Sequence, residues 1–209
     1  MRYNIYSDYK ISRGKDYKNG TQPIDEAEVR EKFLINQYLE ELYIRQLIDN
    51  SETGVEADDF IAYYCKIKEV NEKITICTGD RDLCQLINED VRIYLCDKKE
   101  FVNHINYQNY FKHKQENSKL IKIIGGDSSD SIKGITGVKE TTLLKLFPAL
   151  TERKVELEEI LETAVRLQEA RISNKLKPLK SLTNIIEQNT EGVQGENIYE
   201  INRLLVDLS

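Results

Sequence analysis

Lys73-Ile-Thr-Ile-Cys-Thr-Gly-Asp-Arg-Asp-Leu-Cys-Gln-Leu-Ile87 decides the fold. The β-branched run Lys73–Thr78 stops at Gly79, which predicts a strand meeting a turn, and Arg81–Ile87 then reads as a helix. Val91–Cys96 repeats the strand signal, and Glu56–Val70 upstream has helical periodicity. Helix, strand, helix, strand with short connections predicts an α/β layer with parallel strands. In such sheets ligands bind at the carboxyl ends of the strands, so Asp80 and Asp82 stand where chemistry is normally done.

Working outward, residues 1–23 are polar, basic and tyrosine-rich. Asp25–Asn50 predicts a helix: Phe33, Leu34, Tyr38, Leu42, Leu47 and Ile48 recur near 3.6-residue spacing behind an acidic start at Asp25, Glu26 and Glu28. Beyond Asn103 the β signal disappears. Helices are expected over Gln115–Ile124, Lys139–Phe147 and 151–171, a basic stretch over 171–184, and a helical or strand-like ending from Tyr199. A boundary near 104–114 divides an α/β part, 1–108, from a helical part, 109–209.

The chain has 209 residues with 30 basic and 36 acidic side chains, a net charge of −6. That argues against a generic nucleic-acid binder and leaves either no polyanionic partner or an acidic cluster neutralised by a cation. No apolar run approaches about 18 residues and the N-terminus has no hydrophobic leader core, which excludes a membrane span and a secretory signal. Cys65, Cys77, Cys84 and Cys96 show no C-x-x-C spacing and are expected to be reduced, mostly packed thiols of an intracellular, cytoplasmic protein. His104 and His113 have no cysteine partner nearby and are expected at the surface or a boundary. Neither a P-loop nor a G-x-G-x-x-G occurs.

Three acidic groups stand out by placement. Glu56-Ala-Asp58-Asp59 opens a helix, Asp80 and Asp82 follow the strand end, and Asp127 and Asp130 follow Gly125-Gly126. Each pair alone could merely cap a helix. Gathered in one cleft, seven carboxylates repel one another unless hard divalent cations, Mg²⁺ or Mn²⁺, take them as oxygen ligands. Two such ions about 4 Å apart suit phosphodiester hydrolysis.

Gly134-Ile-Thr-Gly137 lies between two helical patterns, where glycines let backbone N–H groups approach a phosphate; Lys133 and Lys139 add salt-sensitive attraction. An ordinary corner between two helices accounts for the same four residues. Tyr3, Tyr9, Lys10, Arg13, Lys15 and Tyr17 interleave rings and cations as single-strand binding requires, although a solvated basic surface would look alike.

Together, Tyr9-Lys10-x-x-Arg13, Val55-Glu56-Ala-Asp58-Asp59, Thr78-Gly-Asp80-Arg-Asp82-Leu-Cys-Gln-Leu86 and Gly125-Gly-Asp127-Ser-Ser-Asp130-Ser-Ile-Lys-Gly134-Ile-Thr-Gly137-Val resemble the 5′-nuclease family: phage and bacterial 5′–3′ exonucleases, flap endonucleases and phage-type ribonuclease H. The resemblance spans about residues 5–150, in the family's order. It implies a PIN-like, resolvase-like nuclease core followed by a helix–three-turn–helix region that grips DNA. By the same resemblance Glu56, Asp58 and Asp59 belong to a first metal region, Asp80 lies between two Mg²⁺ (or Mn²⁺) ions, and Asp82, Asp127 and Asp130 serve the second. Lys10 and Arg13 resemble the basic pair at the foot of the helical arch, which contacts the scissile phosphate, with Asp80 the third catalytic position. Lys133, Gly134, Ile135, Gly137 and Lys139 resemble the DNA-gripping hairpin, which binds K⁺ in many members.

The implied activity is metal-dependent hydrolysis from a 5′ end or at the base of a 5′ flap, in DNA or RNA–DNA hybrid. Family members carry further strand-end aspartates upstream of the Tyr-Lys-x-x-Arg stretch, whereas this chain starts only a few residues before it. An N-terminally incomplete sheet is therefore expected, with a second chain as the source of the remaining strands. The rival expectations are a catalytically impaired, structure-specific DNA-binding remnant and a toxin-like PIN ribonuclease acting on single-stranded RNA.

Overall fold

The computed structural model describes residues 56–190 and 197–206, with the isolated positions Arg30, Phe33, Leu34 and Gln37, all four helical. The rest of the expected 25–50 helix, Lys10 and Arg13 lie outside the described residues.

Helix α1 (Ala57–Ile67) starts from a capping box, in which the Glu56 N–H donates to Asp59 Oδ2 at 3.2 Å and Asp58 and Asp59 complement the helix dipole. Its Ile61 and Cys65 pack on the sheet. Strand β1 (Ile74–Thr78) runs parallel to β2 (Val91–Leu95), in register from Ile74 opposite Val91 to Thr78 opposite Leu95. A third strand, β3 (Glu100–Val102), pairs antiparallel with β2. The expected all-parallel sheet is thus corrected to a small mixed one, because the Asp97–Lys99 turn returns the chain directly beside β2. The apolar side of each strand faces one core: Ile76, Val91, Ile93, Leu95 and Val102, closed by Leu83, Cys84, Ile87 and Tyr107.

The helix expected over Arg81–Ile87 is a tight 3₁₀ segment, Asp82–Leu86. Asp80 Oδ1 takes the Asp82 N–H at 2.8 Å and fixes a turn at its start, while Ile87 is already extended so as to enter the core.

Helix α2 (Ser118–Gly125) buries Leu120, Ile121, Ile123 and Ile124. It ends at Gly126, whose φ of +73° turns the chain into a two-stranded ribbon of β4 (Gly126–Asp127) and β5 (Ile132–Lys133). Among the described residues four helices follow: α3 (Glu140–Leu146), α4 (Leu157–Ser173), α5 (Lys180–Glu187) and α6 (Ile198–Val206). The basic stretch expected over 171–184 is therefore half helix, since Leu182 and Ile185 in α5 are fully buried. A second core gathers α2 to α6 around Leu143, Leu150, Ile160, Leu182 and Ile185.

Side-chain amides tie these pieces together. Asn117, fully buried, donates to the Leu150 and Arg153 carbonyls and accepts the Val155 N–H. Asn202 in α6 donates to the carbonyls of Ile123 and Lys133 at 2.8 Å each, pinning α6 across α2 and β5.

Two expectations are corrected here. Only Cys84 is buried: Cys65 is intermediate and Cys77 and Cys96 are exposed, because odd residues of β1 and the residue after β2 face outward. Of the surface or boundary placement expected for His113, the surface half is corrected: its Nδ1 meets Glu140 Oε1 at 2.9 Å and its Nε2 lies 3.2 Å from both Tyr107 Oη and Ser118 Oγ, so every polar atom of a ring 5% exposed is partnered.

Candidate metal centre

Four elements converge at the carboxyl end of β1. The turn after the strand brings Asp82, the α2–β4 junction brings Asp127, the β4–β5 loop brings Asp130, and the N-terminus of α1 brings Glu56 and Asp58. Carboxylate oxygens of Asp82, Asp127 and Asp130 all lie within 4.8 Å of one another. Glu56 and Asp58 line the same small cleft, whose far wall is Ile132 of β5 with Leu205 and Val206 of α6.

Not every candidate enters it in the same way. Asp80 is exposed and its carboxylate caps the turn toward Asp82, while Asp59 closes the capping box at the start of α1. The hairpin residues form a separate feature. Ile135 is buried, with its N–H donated to the Ile124 carbonyl at 2.8 Å, whereas Lys133, Gly137 and Lys139 face solvent. The carbonyls of Gly134 and Thr136 are taken by Thr190 Oγ1 and Asn184 Nδ2.

Charge explains how the acids coexist. Lys122, near the end of α2, places its ammonium 2.5 Å from Asp82 Oδ2 and 2.7 Å from Asp127 Oδ2. Burial works against ionising Asp127, but hydrogen bonds from Lys122 and Ser129 outweigh it and hold its carboxyl at about 2. For Asp82 burial wins, with Lys122 opposing it and Asp127 and Asp80 adding to the rise. Burial alone would lower the Lys122 pKa; its carboxylate partners raise it instead. The ammonium thus stands where a cation is demanded. Hard oxygen donors at this spacing around a point charge fit a divalent ion of the Mg²⁺ or Mn²⁺ class.

Lys122 escapes sequence reading, since a lysine in Leu120–Ile124 looks like an ordinary solvated helix position. The available signal is its place as the one charge in an otherwise apolar run directly before Gly-Gly-Asp.

Beside the acidic cleft opens a larger cavity of about 420 Å³. The two share a wall of Asp82, Gln85, Lys122 and Asp127.

Comparison with known proteins gives this arrangement a context. Residues 1–116 match the family model for the 5′-3′ exonuclease, N-terminal resolvase-like domain. A 5′-3′ exonuclease of Mycoplasmopsis pulmonis is 33% identical over 161 residues, covering 71% of this chain and 53% of that protein. DNA polymerase I of Lactococcus lactis subsp. cremoris is 32% identical over 196 residues, 90% of this chain and 20% of the polymerase. The chain therefore spans about half the length of the former and a fifth of the latter. Among solved structures, the T5 5′-exonuclease with bound zinc superposes with a TM-score of 0.66 at 19% identity, over 99% of this chain and 69% of that one. A T5 flap endonuclease variant in a pseudo-enzyme–product complex with DNA and metal ions gives 0.68 at 19% identity, over the same shares. These two likenesses concern the fold.

Proposed function

The chain belongs to the family of 5′–3′ exonucleases with a resolvase-like N-terminal domain, and on that premise we propose that it hydrolyses phosphodiesters of DNA, or of RNA–DNA hybrid, from a 5′ end or at the base of a 5′ flap, in the replication or repair of DNA. The observation that carries this reading is the convergence of Asp82, Asp127 and Asp130 within 4.8 Å at the carboxyl end of β1.

In this reading Asp82, Asp127 and Asp130 would hold one divalent ion and Glu56, Asp58 and Asp59 would serve a second, with Asp80 contributing to both. Mg²⁺ bound there supplies Lewis acidity toward the phosphoryl oxygens and lowers the pKa of a water. The chain's own groups do the rest. Lys122 favours the ionised forms of Asp82 and Asp127 and aligns them, and Ser129 fixes the Asp127 rotamer through hydrogen bonds from its N–H and hydroxyl to Oδ1. Leu205 and Val206 form an apolar wall that limits water around the carboxylates. Lys10 and Arg13 offset charge on the scissile phosphate. Residues 1–108 act as the nuclease core, and residues 109–209 grip duplex through Lys133, Gly134, Ile135, Gly137 and Lys139, with K⁺ as an accessory ion of the hairpin.

A second chain along β1 is part of the proposal. The Ile74 N–H donates to Asp90 O and the Cys96 N–H to Thr78 O, a phase that turns the backbone groups of Thr75 and Cys77 away from β2. Among the described residues that edge has no partner, and an apolar groove of about 640 Å³ walled by Phe60, Ile61, Tyr64 and Ile74 runs beside it. No described helix is long and apolar enough to cross a membrane, and we place the protein in the cytoplasm with its nucleic-acid substrate.

The test is a 5′-labelled flap duplex incubated with the protein and Mg²⁺. Cleavage near the junction is expected, abolished by EDTA and reduced at least 100-fold in Asp82→Asn. Binding without cleavage would support the DNA-binding remnant instead, and cutting of single-stranded RNA without junction preference would support the PIN ribonuclease.

A further inference from the structure

The 420 Å³ cavity next to the acidic cleft has a chemistry of its own. Its volume lies within the about 300–1,000 Å³ of small-ligand sites. Phe111 forms an aromatic wall, held in place by stacking on Tyr107 with ring centroids 4.4 Å apart and planes 18° from parallel. Tyr107 is itself locked, its hydroxyl 2.6 Å from Ser118 Oγ, so the pair makes a rigid platform. Arg81 and Lys139 line the same space, and neither makes an ion pair among the described residues. In a chain of net charge −6, with Asp82 and Asp127 in the adjoining wall, two uncommitted cations are unexpected. Cations near surplus carboxylates usually pair with them, as Lys122 does. Exposed cations lining an aromatic-sided cavity suit an anion attached to a flat ring.

We infer that this cavity seats a single nucleotide, with its phosphate between Arg81 and Lys139 and its base against Phe111. The inference rests on the nuclease reading only for where that nucleotide comes from. Because Asp82 and Asp127 form the wall shared with the acidic cleft, the seated nucleotide is the neighbour of the bond being cut. Stacking on a ring is indifferent to base identity, so the site holds a strand in place without reading sequence.

Calorimetry on the full chain in Ca²⁺ buffer, with thymidine 5′-monophosphate and inorganic phosphate as separate probes, tests this. The nucleotide should bind about tenfold more tightly than phosphate, as expected for one stacked base. Arg81→Gln, at an exposed position, should weaken both probes about tenfold. Phe111→Leu should erase the nucleotide's advantage and leave phosphate binding unchanged, and Phe111→Tyr should restore it. Equal affinity of the two probes for the unmodified protein, or indifference to Arg81→Gln, overturns the inference. A protein that binds the nucleotide through Arg81 yet cuts no flap keeps this site and loses the nuclease reading. One that cuts flaps but prefers neither probe does the reverse.

Discussion

Lys122 carries the electrostatics of the centre. Its ammonium bridges Asp82 and Asp127, with side chains 25%, 32% and 13% exposed respectively. Breaking a fully buried pair costs about 3–5 kcal/mol, and solvent screening at these exposures reduces that to about 2 kcal/mol. Lys122→Met should therefore lower stability in EDTA by about 2 kcal/mol, since the methionine keeps the packing and removes only the charge. Saturating Mg²⁺ should recover most of the loss, because the ion supplies the missing countercharge. Calorimetric melts of both proteins, with Mg²⁺ and with EDTA, check this; an unchanged melt in EDTA would show that the ammonium is not the internal counterion. Asp82, Asp127 and Asp130, the three acids that converge, stood out by placement, one after a strand end and two behind Gly125-Gly126. The lysine that makes them compatible did not, since its role exists only once α2 is docked against the turn after β1. His113 escaped for the same reason: its three partners come from positions 107, 118 and 140.

Elements were legible where their patterns were long, and illegible where a few residues were governed by neighbours. Helix α3 lies within a residue of its expected bounds at each end and α4 ends within two, though it starts six residues later than expected, at Leu157, whereas β3 has three residues and exists because Phe101 faces Tyr94 across the ladder, with ring centroids 5.0 Å apart. The β4–β5 ribbon was missed altogether, and Gly134 shows what it demands. A Cβ there would lie 2.1 Å from the Gly125 carbonyl carbon and 2.4 Å from the Gly126 nitrogen, both backbone atoms that cannot swing aside. Gly134→Ala should cost about 3 kcal/mol in urea unfolding, and flap cleavage should fall with it because Asp127 rides on the displaced strand. Asp90 supplies an element-scale pH effect, as it joins Lys68 behind α1 and Lys73 before β1 to the start of β2. Hydrogen bonds from Lys68 and then Lys73 hold its carboxyl at about 2, down from 3.8. A depressed carboxylate stabilises the fold above its unfolded value and stops doing so as pH falls through the folded one. The loss belongs to the window from 3.8 down to about 2, and Asp90→Asn should flatten the melting temperature there while leaving the slope above pH 5 alone.

On the scale of the whole molecule, the acidic cleft is walled by a small apolar cluster of its own, Ile132, Leu205 and Val206, distinct from the core under the sheet and the core among the helices. None of its walls is complete within a single element, so occupancy of the cleft and cohesion of the molecule are linked. Helix α6 shows the dependence most directly. It is held by Asn202, which reaches the carbonyls of Ile123 and Lys133, 79 and 69 residues earlier in the chain, and it presents Leu205 and Val206 to the carboxylates. Asn202 is 1% exposed, so Asn202→Ala removes the donor from the buried Ile123 carbonyl and from the part-buried Lys133 carbonyl and should cost about 2 kcal/mol. The loss should be spatially ordered: amide exchange should accelerate in α6 and β5 first, while β1 and β2, which share no hydrogen bond with Asn202, keep their protection. Once the wall retreats, water reaches Asp82 and Asp127 and each carboxylate is better solvated without a metal, so Mg²⁺ should bind several-fold more weakly by calorimetry. Faster exchange in α6 with unaltered Mg²⁺ affinity would separate the helix from the centre and show that the carboxylates and Lys122 hold their geometry without it.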